Sequence, residues 1–124
     1  MAEIPVDVTS DPGTFQPQWK LQGAVAGDYG KPVRIPQFSD KSFGMWGTWG
    51  GTVILQGSWD KSNEPAEDSW HTITEMASTA AISATANAFG LILDNPVWIR
   101  PKCTASTVAN VNVTLNCTLA AGAR

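Results

Sequence analysis

The chain has 124 residues, a formal net charge of −3 and 15% charged residues, values typical of one domain large enough to bury its own core. Its eight lysines and arginines are scattered, which excludes the basic patch of a nucleic-acid-binding protein. No run approaches the roughly 18 apolar residues of a membrane span. The N-terminus lacks the basic and apolar segments of a signal peptide, so we expect a soluble protein made in the cytoplasm. The frequent Ser, Thr, Ala, Gly and Asn residues favour an all-β protein with short strands and turns.

Residues 1–44 show neither the helical nor the strand period. Prolines at positions 5, 12, 17, 32 and 36 interrupt both patterns. Because proline holds the preceding residue extended and donates no ladder hydrogen bond, we predict an extended N-terminal arm, 1–44, followed by a β-sandwich domain, 45–124. The large apolar residues of the arm indicate that it is ordered, either on its own sandwich or on a neighbouring subunit. The glycines between positions 23 and 30 match no phosphate-binding motif, and we interpret them as a turn.

Four of the six tryptophans lie between residues 45 and 70, beside the clearest strand pattern. Residues 53–59 alternate with a period of two, which predicts a strand. A turn-rich run over 59–65 follows, and an extended pattern resumes over 70–74, so the segment predicts two strands joined by a loop. Gly57 within the first strand indicates a bulge or, as the sharper alternative, a ligand groove.

The alanine content of residues 75–89 permits a helix, but apolar and polar residues alternate from position 82. We therefore predict a turn near 77–80 and then a strand. Residues 97–103 predict another strand, and residues 111–119 show the most regular alternation in the chain. The predicted fold is an antiparallel, jelly-roll-like β-sandwich. Its predicted core contains Val53, Leu55, Ile99, Val111, Val113, Leu115 and Cys117.

The two cysteines, Cys103 and Cys117, lie on the last two predicted strands. If these strands form a hairpin through residues 105–110, the cysteines lie several rungs apart, whereas a disulfide needs Cα atoms within about 7 Å. We therefore predict two free, buried thiols. Because of the spacing of the cysteines, and because His71 is the lone histidine, we predict no zinc site and no other cofactor.

The titratable residues do not form a convincing catalytic set, so we predict a protein that is not an enzyme. The loop carboxylates could serve a glycosidase or bind calcium, but the loop lacks the usual calcium-binding order, and we interpret it as solvated. His71 is predicted to be partly buried and bonded to a neighbour. Arg100 can pair with an acid or stack on the indole of Trp98. The loop carboxylates are Asp60, Glu64, Glu67 and Asp68.

The tryptophans are first interpreted as packing residues, because a buried aromatic side chain dominates the energetics of a small domain. Trp46 and Trp49 are three positions apart, so on one strand they face opposite sides and one of them is predicted to be exposed. An exposed tryptophan is a candidate interface residue. The candidate interface comprises Phe15, Trp19, Phe38, Phe43, Trp46 and Trp49.

Several segments together resemble the small β-sandwich structural proteins of tailed bacteriophages. The segments are GGTVILQGSWD, SWHTITE, an alternating strand, NPVWIRPKC and a closing VNVTLNCTL. The resemblance covers roughly residues 46–119. Sugar-binding sandwiches of the discoidin type share part of the pattern, namely a Gly-Ser turn, a Trp strand and a penultimate Ile-Arg strand. The loop over 61–69 departs from the phage pattern, because it is longer and more acidic than a tight turn.

Among such phage proteins the resemblance best suits the head decoration or cement type. It implies a non-enzymatic virion protein, made in the host cytoplasm and placed on the capsid surface, where it ties together subunits of the major capsid protein. The implied partners are the major capsid protein and neighbouring copies in a homo-oligomer, with residues 1–44 making much of the contact. Tail proteins share the same core, so a carbohydrate-binding sandwich in a phage tail is the alternative function.

Overall fold

The computed structural model describes residues 3–11, 13–35, 40–104 and 109–118. These residues contain no α-helix, and one 3-10 turn at Glu67–Ser69 precedes β8. The predicted all-β class is confirmed. The strands are β1 (Glu3–Ile4), β2 (Val6–Asp11), β3 (Thr14–Ala24), β4 (Tyr29–Gly30), β5 (Val33–Arg34), β6 (Asp40–Thr48), β7 (Val53–Ser58), β8 (Trp70–Thr72), β9 (Ser83–Ala84), β10 (Ala88–Leu91), β11 (Trp98–Cys103) and β12 (Ala109–Thr118).

The strands form two sheets that pack face to face. The first sheet has the order β1-β4-β11-β7-β8, with β5 also beside β11 and β9 beside β7. The second sheet has the order β10-β6-β12-β3-β2. The pairs are antiparallel except for the parallel pair of β1 and β4. The predicted antiparallel sandwich is therefore confirmed.

Strand alternation places one face of each sheet in the core. In β12, the side chains of Val111, Val113, Leu115 and Cys117 are all at most 1% exposed, while the residues between them face outwards. All seven predicted core residues are buried, which confirms this part of the prediction. Each fully buried aliphatic side chain contributes on the order of 1.5–3 kcal/mol, so this interior dominates the stability of the fold.

The described part of the predicted arm belongs to the sandwich itself, which corrects the division at residue 44. Within it, β1, β4 and β5 join the first sheet, and β2, β3 and the start of β6 join the second. Of the two alternatives for ordering these residues, packing on the chain's own sandwich is the one observed. Trp19 and Leu21 of β3 are fully buried between the sheets.

Proline is compatible with β3 because the ladder is interrupted where Pro17 lies. Pairing of β3 with β12 stops at Gln18 and resumes at Phe15, while Pro17 still lies opposite Val8 of the edge strand β2. A missing N–H therefore removes little from this part of the ladder. The proline-based argument against a central strand was wrong for β3, which lies between two other strands.

The predicted hairpin of the last two strands is wrong. Strand β11 belongs to the first sheet and β12 to the second, so Cys103 and Cys117 lie on different sheets. Both cysteines are nevertheless free and buried, as predicted. Burial raises the pKa of each thiol to about 11, so both are protonated and unreactive at neutral pH.

The alanine-rich segment also departs from its prediction. The predicted turn is present at residues 76–78, but the strand that follows is split into β9 and β10. Because β9 pairs with β7 and β10 pairs with β6, the chain crosses from the first sheet to the second between them. One continuous strand could not make this crossing.

Gly57 marks neither a bulge nor a groove. The ladder through it is continuous, with Ile99 opposite on one side and His71 on the other. A Cβ atom at Gly57 would lie only 2.7 Å from Cγ2 of Ile73 and 2.8 Å from Cγ of Pro96. The glycine therefore permits close packing inside the core, and the bulge prediction was wrong.

Candidate functional site

A loop of residues 59–69 folds over the outer face of the first sheet. The Asp60 carboxylate organises it by accepting hydrogen bonds from the backbone N–H of Ser62 at 2.9 Å and of Ala66 at 2.9 Å. The Ser58 and Ser69 hydroxyls are 2.7 Å apart and connect the loop to β7. The hydrogen bonds from Ala66 and Ser62 lower the pKa of Asp60, so its carboxylate is ionised at neutral pH.

The Arg100 side chain occupies the centre of this covered face. It projects outwards from β11 and is only 2% exposed. Its guanidinium lies between two aromatic rings, 4.4 Å from the centre of Tyr29 and 4.2 Å from that of Trp70. At these distances the cation is attracted to both ring faces.

Two hydrogen bonds fix the guanidinium in that position. Nε donates to Oε1 of Gln56 at 2.9 Å, and Nη2 donates to Oε1 of Glu67 at 3.1 Å. The predicted pairing of Arg100 with an acid is confirmed, whereas the predicted stacking on Trp98 is wrong. The stacked indole is that of Trp70, whereas the ring of Trp98 lies 5.9 Å from the Arg34 guanidinium.

A cleft of about 440 Å³ opens beside Arg100. Its aromatic wall contains Tyr29, Trp70 and Trp98, contributed by three strands of the first sheet. Its charged lining consists of Glu3, Lys31, Glu64, Glu67 and Arg100. The cleft thus combines aromatic surface with hydrogen-bonding groups of both signs, which is the composition of many small-molecule sites.

The acidic loop is therefore only partly the solvated loop that was predicted. Glu64 and Asp68 are exposed, but Asp60 holds the loop in shape and Glu67 pairs with the buried Arg100. Within the described residues, no group of three or more His, Cys, Asp or Glu side chains is placed to hold a metal ion. The same residues include no helix with the length and apolar character needed to cross a membrane.

His71 differs from its prediction because it is exposed. His71 lies on β8, the edge strand of the first sheet. At such an edge, a side chain that points towards the other sheet can still be reached by solvent.

A second feature lies at the opposite side of the molecule, on the outer face of the second sheet. We call it the apolar edge patch, and it consists of Trp46, Met76, Phe89 and Leu91. The exposed fractions are 69% for Phe89, 53% for Leu91, 45% for Met76 and 37% for Trp46. Such a group of exposed apolar side chains is typical of an interaction surface.

The geometry shows that the members of the patch are neighbours. The rings of Phe89 and Trp46 both approach Gly44, since a Cβ atom there would lie 3.0 Å from Cδ1 of Phe89 and 3.6 Å from Cζ3 of Trp46. Leu91 follows two positions after Phe89 on the same face of β10. Met76 donates its backbone N–H to the carbonyl of Leu91 at 2.9 Å, so its chain runs beside β10.

The predicted interface residues separate into buried and accessible ones. Trp19 and Phe43 are 0% and 7% exposed and belong to the core, so they are not available to a partner. Phe15 and Trp49 are partly buried against the core. Trp46 is the accessible one of the Trp46 and Trp49 pair, as the spacing predicted. Phe38 lies outside the described residues.

Sequence reasoning did not identify Phe89 and Leu91 as candidate interface residues. The available signal was that large apolar residues alternate with Ala88 and Gly90. A large apolar face normally indicates the inward side of a strand, but here the small residues face inwards. The inner side of β10 has no room for a large side chain, because a Cβ atom at Gly90 would lie 3.1 Å from the side chains of both Glu75 and Phe43. Tyr29 and Trp98 were likewise not recognised as parts of a cleft.

Comparison with known proteins adds information on the fold. No family model and no curated protein matches the sequence. The SPBc2 prophage-derived protein YomS is similar in structure, with a TM-score of 0.56 and 11% identity over 90% of this chain and 97% of YomS. The cupin domain of Schizosaccharomyces pombe Cnp3 aligns with a TM-score of 0.47 and 6% identity over 94% of this chain and 61% of that chain.

A chain from Bacillus endospore appendages, which form disulfide-linked pili, aligns with a TM-score of 0.40 and 14% identity over 93% of this chain and 91% of that one. At 11% identity the similarity to YomS concerns the fold alone. The chain is thus a small β-rich sandwich whose architecture also occurs in a prophage-derived protein.

Proposed function

We propose that the protein is a structural component of a phage particle, in which it decorates the capsid and binds the major capsid protein through the apolar edge patch. The observation that carries this proposal is the exposure of Phe89, Leu91 and Trp46 side by side on one sheet face. Apolar side chains grouped in this way gain free energy when a partner covers them. Trp46 is of a residue type that is enriched in interface hot spots, and its apolar neighbours would exclude water from the contact.

Two further observations support the proposal. The sequence segments resemble those of phage sandwich proteins, and the fold is shared with the prophage-derived YomS. The contact surface is revised from residues 1–44 to the edge patch, because the described part of the former arm supplies strands to both sheets. Neighbouring copies on the capsid lattice are a second partner for the same patch.

The test is co-sedimentation of the purified protein with purified capsids. The double variant Phe89→Ser and Leu91→Ser removes two exposed side chains and leaves the core unchanged, so it is expected to fold. We expect its capsid affinity to fall by about 100-fold or more, the loss typical of removing two hot-spot residues. Circular dichroism should remain that of a β protein.

Val8→Ser is the matched control, since Val8 is 47% exposed on β2 at the other edge of the same sheet. This variant should bind capsids like the unmodified protein. Full capsid occupancy by the double variant would contradict the proposed contact surface. Recovery of the protein from tails but not from heads would contradict the capsid assignment.

A further inference from the structure

We propose that the cleft on the outer face of the first sheet is a binding site for a neutral sugar ring. Its volume of about 440 Å³ falls within the range of small-molecule sites, roughly 300–1,000 Å³. The cleft lies on the opposite sheet from the apolar edge patch. The inference therefore does not depend on capsid binding.

The aromatic wall supplies the apolar part of the recognition. Tyr29 and Trp70 hold Arg100 between them, so part of their ring surface is already used. Trp98 is half-buried and also lines the cleft. One face of a sugar ring presents C–H groups, and such a face packs on an indole. Trp98 is therefore assigned as the stacking residue.

Arg100 supplies hydrogen-bond donors that are already fixed in position. A guanidinium has five N–H donors, and Gln56 and Glu67 accept one hydrogen bond each. These are the two side-chain hydrogen bonds of Arg100 observed among the described residues, and Arg100 also lines the cleft. A sugar hydroxyl or ring oxygen provides a further acceptor at low entropic cost, because the guanidinium is already immobilised.

The indole N–H of Trp98 is a second donor without a partner. Its Nε1 atom is buried and has no hydrogen-bond acceptor among the described residues. Buried polar groups are normally hydrogen-bonded, so the hydrogen bonding of Trp98 is incomplete among the described residues.

The charge around the cleft selects a neutral ligand. Its charged lining consists of the carboxylates of Glu3, Glu64 and Glu67 and the cations Lys31 and Arg100, and Glu67 is already paired with Arg100. An anion would meet an excess of carboxylates. A cation would meet Arg100 and Lys31, and Arg100 already lies against the rings of Tyr29 and Trp70. A polyol has both donors and acceptors, and it therefore suits a mixed lining.

The test is titration of the ¹⁵N-labelled full chain with D-glucose, D-galactose, D-mannose, N-acetyl-D-glucosamine and L-rhamnose, monitored by nuclear magnetic resonance. Saturable shifts of the Trp70 and Trp98 indole signals are expected with at least one of these sugars. Acetate and tetramethylammonium serve as anionic and cationic probes, and neither should produce these shifts.

Two surface variants test the site without disturbing the fold. Glu64→Gln and Lys31→Ala change exposed side chains of the cleft and should each weaken sugar binding about tenfold, the effect of one lost charged hydrogen bond. Asp68→Asn and Lys61→Ala are the matched controls, since both residues are exposed in the same loop but do not line the cleft. These controls should bind like the unmodified protein.

Three outcomes would contradict the proposed sugar site. The inference fails if none of the five sugars gives saturable shifts, if only acetate or tetramethylammonium does so, or if the control variants weaken binding as much as Glu64→Gln and Lys31→Ala. The capsid variant at Phe89 and Leu91 should retain sugar binding. Failure of this inference and failure of the capsid proposal are therefore distinguishable.

Discussion

The two sheets bury the same kind of inner face but differ on their outer faces. The outer face of the first sheet is covered, because the loop 59–69 and the stacked Arg100 lie on it. The outer face of the second sheet is open, with polar residues across β12 and β3 and the apolar edge patch at β10. The covered face has become a cleft suited to a small ligand, whereas the open face suits a macromolecular surface.

The two sheets therefore differ in functional potential through their outer faces. The inner faces must exclude water, so nearly all of their side chains are apolar. Lys41 on β6 is buried there as well, and its ammonium group donates a hydrogen bond to Oδ1 of Asn95. The outer faces carry no such restriction, and one tight hydrogen-bonded loop is sufficient to turn a solvated sheet face into a cleft.

The largest expected effect belongs to the shared interior. Leu115→Ala should lower the free energy of unfolding by about 2–5 kcal/mol, because it empties a fully buried leucine site. Urea denaturation followed by tryptophan fluorescence measures the change.

Thr114→Ala on the neighbouring, outward-facing position is the control. Its hydroxyl is buried without a hydrogen-bond partner among the described residues, so removing it should change stability by no more than about 0.5 kcal/mol. Equal losses in the free energy of unfolding for Leu115→Ala and Thr114→Ala would contradict the assignment of one face of β12 to the core and the other to the outside.

The next largest effect is the loss of stability on removing a long cationic side chain from the outer face of each sheet. Arg100→Ala should lower the free energy of unfolding by about 2–4 kcal/mol, since it leaves Gln56 without its donor and a gap between two aromatic rings. Lys20→Ala is the matched change on the second sheet, where Lys20 is exposed, and should stay within about 0.5 kcal/mol. A small effect of Arg100→Ala would mean that the first sheet is no better covered than the second.

The smallest expected effect is that acid weakens the hydrogen bonds that hold the loop 59–69 in place. The pKa of Asp60 lies below its ordinary value of 3.8 because backbone N–H groups of Ala66 and Ser62 stabilise the carboxylate. A carboxyl group with a lowered folded-state pKa stabilises the fold above the unfolded value and loses that contribution as pH falls through the folded one. The loop should therefore loosen below about pH 4.

Amide signals of Ser62 and Ala66 should report this loosening, while those of β12 should stay unchanged in the same range. Asp60→Asn should remove the part of this change that comes from the Asp60 carboxylate at Ser62 and Ala66. Simultaneous changes in both regions would indicate that acid unfolds the whole domain, and the proposed difference between the faces would then be lost.

The interior could be predicted from sequence to a large extent, because period-two alternation is a local property of a strand. The buried faces of β7, β11 and β12 were predicted in this way and are confirmed. Sheet membership could not be predicted, since no local pattern states that β11 and β12 lie on different sheets. The same limit explains why residues 1–44 were interpreted as an arm.

The candidate sites were less predictable than the core. Arg100 was recognised as a residue that pairs with an acid or stacks on an indole, whereas Glu67 was interpreted as a solvated loop carboxylate. The cleft exists only because β4, β8 and β11 bring Tyr29, Trp70 and Arg100 together. Phe89 was missed because its exposure depends on the space available at Gly90. Both cases depend on tertiary packing, which a single sequence does not show.

The position of β12 has a consequence for how the protein folds. This last strand lies between β6 and β3, and its Asn116 accepts a hydrogen bond from Gln16, a residue 100 positions earlier in the chain. The second sheet therefore cannot close on the ribosome until β12 has emerged. Before then, β3 and β6 expose unpaired edges and half of the future interior. Sheets with such distant pairing fold slowly, in about milliseconds to seconds, and a chain truncated before β12 would be aggregation-prone.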